Sequence, residues 1–289
     1  MTRVLLTGGA GGVGKELAFV LLNEGYSISV FDLPFMDFSA FDGVDAVRVL
    51  KGDIGDVPTV KAALEGVDTV VHLAALLPPN SERNRDKTMA VNVQGTRNLI
   101  GAIQAAGGKA HLIITSSVAT YGDTTAATPP IRITHPQKPV DIYGESKVAA
   151  EKAILESGVP YTILRVSGIS VPALLDPPET WPFMHDQRME FINRADVIGA
   201  LVATVKTKGA VNKVLNIAGG KTWQMRGHEY AEALCKLLDV PVAKTHYHET
   251  PGWCDWYDTD ESQAVLGYQK TTFPHFLELL DKAIQEMLG

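Results

Sequence analysis

The chain has only two cysteines, Cys235 and Cys254. One pair of thiols gives no disulfide framework, and free thiols in a reducing compartment are the expected state. Long apolar runs are also missing: none reaches the roughly 18 residues that a membrane helix needs. Positive charge is scarce, with 26 Lys and Arg against 33 Asp and Glu and a net charge of −7. That balance repels phosphate-rich surfaces and excludes bulk binding to nucleic acid or to an anionic membrane. There is no internal repeat and no low-complexity tract. The N-terminus opens directly into a β-rich run, Arg3-Val4-Leu5-Leu6, which leaves no room for a signal peptide. A cytoplasmic protein is the expectation.

What is present is ordinary globular composition, 45% apolar and 20% charged over 289 residues. This suffices for one large α/β domain or two smaller lobes. Strand-like runs at Arg3–Thr7, Ser27–Phe31, Ala46–Leu50, Thr69–Leu73, His111–Ser116, Tyr161–Arg165 and Lys213–Ile217 are separated by helical stretches. The clearest helices are Val13–Leu22, Thr88–Ala105 (closed by Gly107-Gly108) and Tyr143–Ser157. The alternation predicts a parallel, doubly wound sheet with right-handed crossovers and helices on both faces. After about Val166 the pattern changes. Pro172, Pro177, Pro178 and Pro182 crowd one stretch, with Trp181 and Phe183 among them. A second irregular stretch runs from about 219 to 260 around a helix at Glu229–Leu238, and a last helix covers roughly Pro274–Leu288. The expected organisation is a dinucleotide-binding core of 1–165 plus about 191–217. A small lobe takes about 166–190 and 218–289.

The strongest early motif is Thr7-Gly8-Gly9-Ala10-Gly11-Gly12-Val13-Gly14, placed between the first strand and the first helix. Gly8, Gly11 and Gly14, spaced G-x-x-G-x-x-G, let the backbone turn tightly and let a pyrophosphate approach. The helix N-terminus, at Gly12 and Val13, supplies unpaired N–H groups and a positive dipole end. A turn with no ligand is the alternative that the loop alone leaves open. Asp32 weighs against it. Asp32 ends the second strand 18 residues after Gly14, where a carboxylate accepts both ribose hydroxyls of an adenosine and repels a 2′-phosphate. No arginine stands in Leu33-Pro34-Phe35 to receive one, so NAD is favoured over NADP. Asp53, in Gly52-Asp53-Ile54, follows the third strand. It either bonds the adenine amino group, with Ile54 offering a backbone group, or caps the next helix. His72-Leu73-Ala74-Ala75 ends the fourth strand, and Leu73, Ala74 and Ala75 let the chain pass close to the cofactor. His72 itself reads as packed or hydrogen-bonded, not as a catalyst.

Tyr143 and Lys147 stand four apart, on one face of a helix. A phenol is a poor base at neutral pH, with a reference pKa of about 10. A nearby ammonium lowers that value, so the pair reads as a general acid/base. The same lysine can reach ribose hydroxyls of the nicotinamide half. A lone Y-x-x-x-K is common by chance. Here it follows the glycine motif and a serine-rich strand end, Thr115-Ser116-Ser117, in the region where open α/β sheets bind ligands. Ser117 can hold a substrate oxygen against Tyr143, and Ser116 can contact the cofactor. Alternatively the serines merely finish a strand.

These motifs occur in order with Asn92-Val93-Gln94-Gly95-Thr96, Tyr121-Gly122, Leu164-Arg165, Arg194-Ala195-Asp196-Val197, Asn216-Ile217-Ala218-Gly219 and Asp258…Leu266-Gly267-Tyr268. Together they resemble the NAD-dependent epimerase/dehydratase family, the extended branch of the short-chain dehydrogenases/reductases, over nearly the whole chain. The resemblance implies a Rossmann-type doubly wound parallel sheet with a small C-terminal substrate-binding lobe, and NAD as cofactor. It implies a catalytic triad of Ser117, Tyr143 and Lys147, with Asn92 supporting Lys147. It also implies a sugar or nucleotide sugar as substrate, and a homodimer formed through the helices at Thr88–Ala105 and Tyr143–Ser157.

Two departures narrow this. Arg188, Arg194 and Arg226 are the only arginines after Arg165, so no arginine-rich grip on a nucleotide diphosphate is evident. Ser117-Val118-Ala119-Thr120 lacks the acids that dehydratases use at this strand end. The reading is an NAD-dependent epimerase or dehydrogenase that moves a hydride to or from a carbinol or keto carbon. The rival is an NAD-binding regulator without turnover. Such proteins typically lose the Tyr or the Lys, and both are here. His246, His248, Glu249 and Cys254 fall within nine residues but have no second ligand pair, so no metal is expected. Trp223, Trp253, Trp256 and Tyr257 either line a substrate pocket or form lobe core. Gly219-Gly220-Lys221 reads as a turn.

Overall fold

A computed structural model describes residues 2–173 and 177–288; residues 174–176, inside the proline-rich stretch, and the two terminal positions lie outside it. The first half runs β1 (Arg3–Thr7), α1 (Gly12–Asn23), β2 (Ser27–Asp32), β3 (Val47–Lys51), α2 (Val57–Ala63), β4 (Thr69–His72), α3 (Arg85–Met89), α4 (Gly95–Ala105), β5 (His111–Ser117) and α5 (Ile142–Leu155). The second half runs β6 (Tyr161–Val166), β7 (Gly168–Ser170), β8 (Thr180–Trp181), β9 (Arg188–Met189), β10 (Phe191–Asn193), α6 (Arg194–Lys206) and β11 (Lys213–Ile217). It ends with β12 (Met225–Arg226), α7 (Gly227–Leu237), β13 (His246–Tyr247), α8 (Asp260–Leu266) and α9 (Phe273–Leu288). Among the described residues no helix is long and apolar enough to cross a membrane.

The seven-stranded sheet has the order β11-β6-β5-β4-β1-β2-β3. Its strands run parallel from β3 through β2, β1 and β4 to β5. This is the doubly wound, Rossmann-type sheet that the alternation predicts. Val4, Leu5, Leu6, Val70, Val71, Leu112 and Ile113 are wholly buried, as in a sheet covered on both faces. The winding starts at β1, goes to β2 and β3, then returns to β4 on the other side of β1. The loops that leave β1 and β4 are therefore neighbours at a topological switch point.

The chain divides into two compact units. The first comprises Met1–Ser117, Asp141–Leu164 and Leu201–Val214. Leu5, Ile54, Val70, Leu99, Ile103, Leu112, Ile154 and Ile163 form one buried cluster in it. The single helix expected over Thr88–Ala105 is three pieces: α3, a π-helical turn at Ala90–Gln94, and α4. Such a wide turn carries no characteristic residue type, so the sequence does not announce it. It carries Asn92. Gly107 and Gly108 end α4 at φ of 99° and 71°.

The second unit comprises Val118–Val140, Arg165–Ala200 and Leu215–Gly289. The stretch read as loop holds short strands: β7 pairs with β10, β9 with β12, and β8 with β13. Two or three residues are too few for alternation to show. Aromatic packing organises this unit, with Trp181, Phe183, Phe191, Trp223, Tyr230, Phe273 and Phe276 in one cluster. Trp223 and Tyr257 are 0% and 1% exposed, so both are core. Cys235 and Cys254 are buried and unpaired.

A buried ion pair fixes the second unit. Asp255 is fully buried and takes both arms of Arg188, Nε at 2.6 Å and Nη2 at 2.9 Å. Arg188 Nη2 also donates to the carbonyl of Ala127 at 3.1 Å, and the Thr124 hydroxyl donates to Asp255 at 2.6 Å. Removing one partner strands the other as a dry charge. We expect Arg188→Ala to cost about 3–5 kcal/mol in urea denaturation. Arg188→Lys should recover little, because an ammonium cannot span both carboxylate oxygens.

Candidate active site

The site begins where β1 hands over to α1. Gly8 has φ 69°, and a Cβ there would lie 2.6 Å from the backbone nitrogen of Ala74. The loop after β1 thus rests directly on the loop after β4, and Leu73 N–H donates to the Thr7 carbonyl at 3.0 Å. A Cβ on Gly14 would lie 2.6 Å from the Gly8 carbonyl oxygen, so the first turn of α1 sits on the same loop. Gly11 differs. An added Cβ there meets only the Gly8 carbonyl oxygen, at 3.3 Å. Gly11 is thus less crowded by the fold than Gly8 or Gly14. α1 has no side-chain cap and no acidic residue in its first turn, which leaves the N–H groups at Gly12, Val13 and Gly14 to an anion. Asp32 is fixed beside them. Its Oδ2 accepts from Ala10 N–H at 3.0 Å and its Oδ1 from Leu33 N–H at 2.8 Å. Each oxygen keeps lone-pair capacity for a diol. Together these residues fit the pyrophosphate and adenosine ribose of a dinucleotide.

Asp53 does not cap α2. Its Oδ1 closes a turn on Gly55 N–H at 2.7 Å, and Asp56 is the cap, accepting from Thr59 N–H. The Ile54 carbonyl is taken by Asn98 Nδ2 at 2.9 Å. His72 is a hydrogen-bonded post, as its position implies. The Thr96 hydroxyl donates to the Asn92 carbonyl at 2.7 Å, so its oxygen accepts from His72 Nε2–H at 3.1 Å. His72 Nδ1 then accepts from the Thr7 hydroxyl at 2.7 Å. Burial, helped by the charge of Lys147, pushes His72 down to about 3; it is neutral at pH 7.

α5 carries the tyrosine and the lysine. Its first N–H groups are held by two acids. Asp141 caps it through Gly144 N–H at 2.6 Å, and the two oxygens of Glu82 accept from Ile142 and Tyr143 N–H at 2.9 and 3.0 Å. Ser117 is the last residue of β5, and its side chain hydrogen-bonds that of Tyr143. Lys147 Nζ donates to the Thr115 carbonyl at 2.8 Å and lies 5.5 Å from the Tyr143 ring centroid. Tyr143, Lys147 and Ser117 therefore meet at the end of β5. Burial pushes Lys147 down to about 8, against the opposing charge of Glu151. Burial also pushes the Tyr143 phenol well above its ordinary value; the Ser117 bond opposes this and the Asp141 charge adds to it. Lys147 stands near the phenol, but desolvation of the phenolate is the largest influence on Tyr143 and favours its protonated form.

Two further residues make contacts that the sequence does not announce. Ser116 turns its side chain to α5. Its hydroxyl donates to Glu151 Oε1 at 2.5 Å, since successive strand residues point to opposite faces. Asn92 does not reach Lys147. Its Nδ2 donates to Ser146 Oγ at 2.9 Å and to the Leu76 carbonyl at 3.1 Å, while its Oδ1 accepts from Leu76 N–H at 2.7 Å. It anchors α5 one residue before the lysine. Glu82, Asp141 and Glu151 were not singled out from the sequence. Asp141 was findable as the cap of a predicted helix; Glu82, about 60 residues away, was not.

In the second unit the motif residues Tyr121, Arg165, Asn216 and Asp258 form one polar network. Tyr121 Oη donates to Asn216 Oδ1 at 2.6 Å and accepts from Arg165 Nη1 at 3.0 Å, and Asn216 Nδ2 donates to the Asp258 carbonyl at 3.2 Å. His246, His248, Glu249 and Cys254 are not gathered into a ligand set. Among the described residues His185, Asp186 and His228 instead bring one donor atom each within 4.8 Å, largely at the surface.

The sequence profile of the 3-beta hydroxysteroid dehydrogenase/isomerase family matches residues 5–161. The chain belongs to that family. Within this extended short-chain dehydrogenase/reductase group, it is 35% identical over 176 residues to the 3 beta-hydroxysteroid dehydrogenase/Delta 5-->4-isomerase of Mycobacterium tuberculosis, covering 58% of this chain and 47% of that one. It is 32% identical over 183 residues to the D-erythronate dehydrogenase of Cupriavidus necator, covering 58% of this chain and 56% of that one. The chain spans about half the length of the curated relatives it matches. A crystal structure of UDP-glucuronic acid 4-epimerase from Bacillus cereus in complex with NAD shares the fold, with a TM-score of 0.80 and 21% identity over 100% of both chains.

Two outcomes follow for this family member. Gly11→Ala should destabilise less than Gly14→Ala, which should cost roughly 1–3 kcal/mol, and Gly11→Val should abolish NAD binding in titration calorimetry. The neutral, buried His72 has a folded pKa below its unfolded value of about 6.5. Its contribution is complete above pH 6.5 and is lost as pH falls toward 3, at about 1.4 kcal/mol per pK unit. Urea midpoints should fall between pH 6.5 and 4, with a flatter profile in His72→Gln.

Proposed function

We propose that the chain is an NAD-dependent oxidoreductase or epimerase. It moves a hydride to or from a carbinol or keto carbon of a sugar, a nucleotide sugar or a similar small polar substrate. The observation that carries this is the meeting of Ser117, Tyr143 and Lys147 in the same compact unit as the glycine loop and Asp32. Gly8, Gly11, Gly12, Val13 and Gly14 hold the pyrophosphate, and Asp32 holds the adenosine ribose. Asp53 and Ile54 border the adenine; Leu73, Ala74 and Ala75 form the adjoining wall. Lys147, with Tyr143, serves the nicotinamide ribose. When bound, NAD supplies the hydride acceptor or donor. Ser117 Oγ holds the substrate oxygen. In reduction Tyr143 Oη gives its proton to the carbonyl oxygen; in oxidation it takes the hydroxyl proton. Burial favours the protonated phenol of Tyr143, which suits its role as the acid in reduction. The ammonium of Lys147, itself 4% exposed, is weakly screened and stabilises the phenolate when oxidation is required.

The family profile ends at residue 161, within the part that carries the cofactor motifs. The word hydroxysteroid therefore speaks for carbinol chemistry more than for a sterol substrate. We assign substrate recognition to the second unit. There Arg165 and Arg188 are bound to their own unit, and Arg226 donates to the Asp186 carbonyl. Among the substrates proposed, that favours a sugar or similar small polar molecule over a nucleotide sugar. A second copy of the chain is assigned to the groove between α4 and α5, lined by Arg97, Ile100, Gln104, Ala149, Lys152 and Glu156, giving a homodimer. Unpaired thiols fit action in the cytoplasm.

The test is absorbance at the NADH band with a panel of sugars, sugar acids and nucleotide sugars. Tyr143→Phe should lower the rate by about 10²–10⁴-fold; undiminished turnover sinks the assignment. Steady NADH accumulation identifies a dehydrogenase, and inverted product without it an epimerase.

A further inference from the structure

A buried acid beside the lysine has no part in that scheme. Glu151 lies one turn beyond Lys147 on the same face of α5 and is 1% exposed. Its Oε1 accepts the 2.5 Å hydrogen bond from the Ser116 hydroxyl. The preceding residue, Thr115, gives its carbonyl to Lys147 Nζ at 2.8 Å. Two adjacent residues at the end of β5 are thus tied to α5, one through its cation and one through its anion.

That pairing has an electrostatic reason. An ammonium and a carboxylate, both nearly dry, are tolerated only if each compensates the other. Among the described residues, the ionisable side chains facing Lys147 are His72 from β4, Tyr143 from α5 and Glu151 from α5. His72 and Tyr143 are neutral at pH 7, which leaves Glu151 as the counter-charge. The position of Ser116 explains how the carboxylate is kept in place: its hydroxyl is spent on Glu151.

We propose that Glu151 is a positioning residue, and that with Ser116 it forms a buried anionic seat that keeps Lys147 protonated and anchored against the end of β5. The role rests on the reading of Tyr143 and Lys147 as the proton-moving pair. It explains why an acid is kept at a dry position where an apolar residue would pack at lower cost.

The test titrates the lysine directly. In the whole, cofactor-free chain, the ¹⁵Nζ signal of Lys147, assigned with Lys147→Met, is followed against pH. Glu151→Gln keeps the shape and still accepts from Ser116, but removes the charge. The Lys147 titration should then move down by about one pH unit or more, and Glu151→Asp should return it most of the way. An unchanged titration in Glu151→Gln overturns the proposal. If Glu151→Gln does not fold, the wild-type ¹³C carboxyl shift of Glu151 at pH 7 decides: an ionised carboxylate is expected, and a protonated one overturns the proposal. With a turned-over substrate in hand, the alkaline limb of the rate should move down by the same interval, since the protonated lysine is the working form. None of the titrations needs substrate. If Tyr143→Phe keeps full turnover, the catalytic reading fails whatever Lys147 does. If Tyr143→Phe is inactive and Lys147 titrates unchanged in Glu151→Gln, only the role of Glu151 fails.

Discussion

The loop after β1 lies against the loop after β4 with no side chain between them, and the candidate site depends on that contact. Gly8 makes the approach possible, since any Cβ there would meet the Ala74 backbone. Gly14 extends the same closeness to α1. His72 then locks the arrangement from below by tying Thr7 of β1 to Thr96 of α4. A histidine kept neutral by burial suits this use, because it donates with one nitrogen and accepts with the other. The consequence is a helix end with open N–H groups, set at the switch point of the sheet and held rigidly beside Asp32.

The chemical half of the site is governed by desolvation. Tyr143 and Lys147 are brought together by α5, yet burial moves both away from their charged forms. Proximity of a cation and a phenol is therefore insufficient to make a base. The site contains a compensating acid for the lysine, Glu151, and two acids at the N-terminus of α5 that stabilise the helix, one of which, Asp141, raises the phenol further. Glu82 and Asp141 favour the helix end through its unpaired N–H groups. The geometry that positions Tyr143 thus works against its ionisation, through burial and through the Asp141 charge that caps the same helix.

How much of this could be read from the sequence depended on the length of the pattern involved. The sheet strands and the glycine loop are long or strongly spaced, and their order came through. The choice between Ser116 and Ser117 did not, because both residue types are the same. The pleat resolves it: one serine faces Tyr143 and the other Glu151. The π turn at Ala90–Gln94 has no sequence signature, and neither have the direct bonds of Asn92 to Ser146 and Leu76. In the second unit, strands of two or three residues left no alternation to detect, and aromatic residues split between core and surface only once their packing was known. Asp53 and Asp56, three residues apart, offered the same capping chemistry, and only the start of α2 decides between them.

The same contrast bears on substrate. The family match covers residues 5–161, where the glycine loop, Asp32, Ser117, Tyr143 and Lys147 all stand. In the reading proposed above, those residues serve a cofactor and a proton transfer that many different carbinols share, and substrate choice falls to side chains beyond that match, in a unit whose arginines are largely engaged with its own carbonyls and carboxylates. Arg188 makes the point: its guanidinium fits a diphosphate as well as it fits a carboxylate, but Asp255 already occupies both arms at 2.6 and 2.9 Å. Releasing it for a ligand would leave a fully buried carboxylate unpaired. The stability of the second unit and a diphosphate grip would therefore compete for Arg188, and in this structure Asp255 holds it.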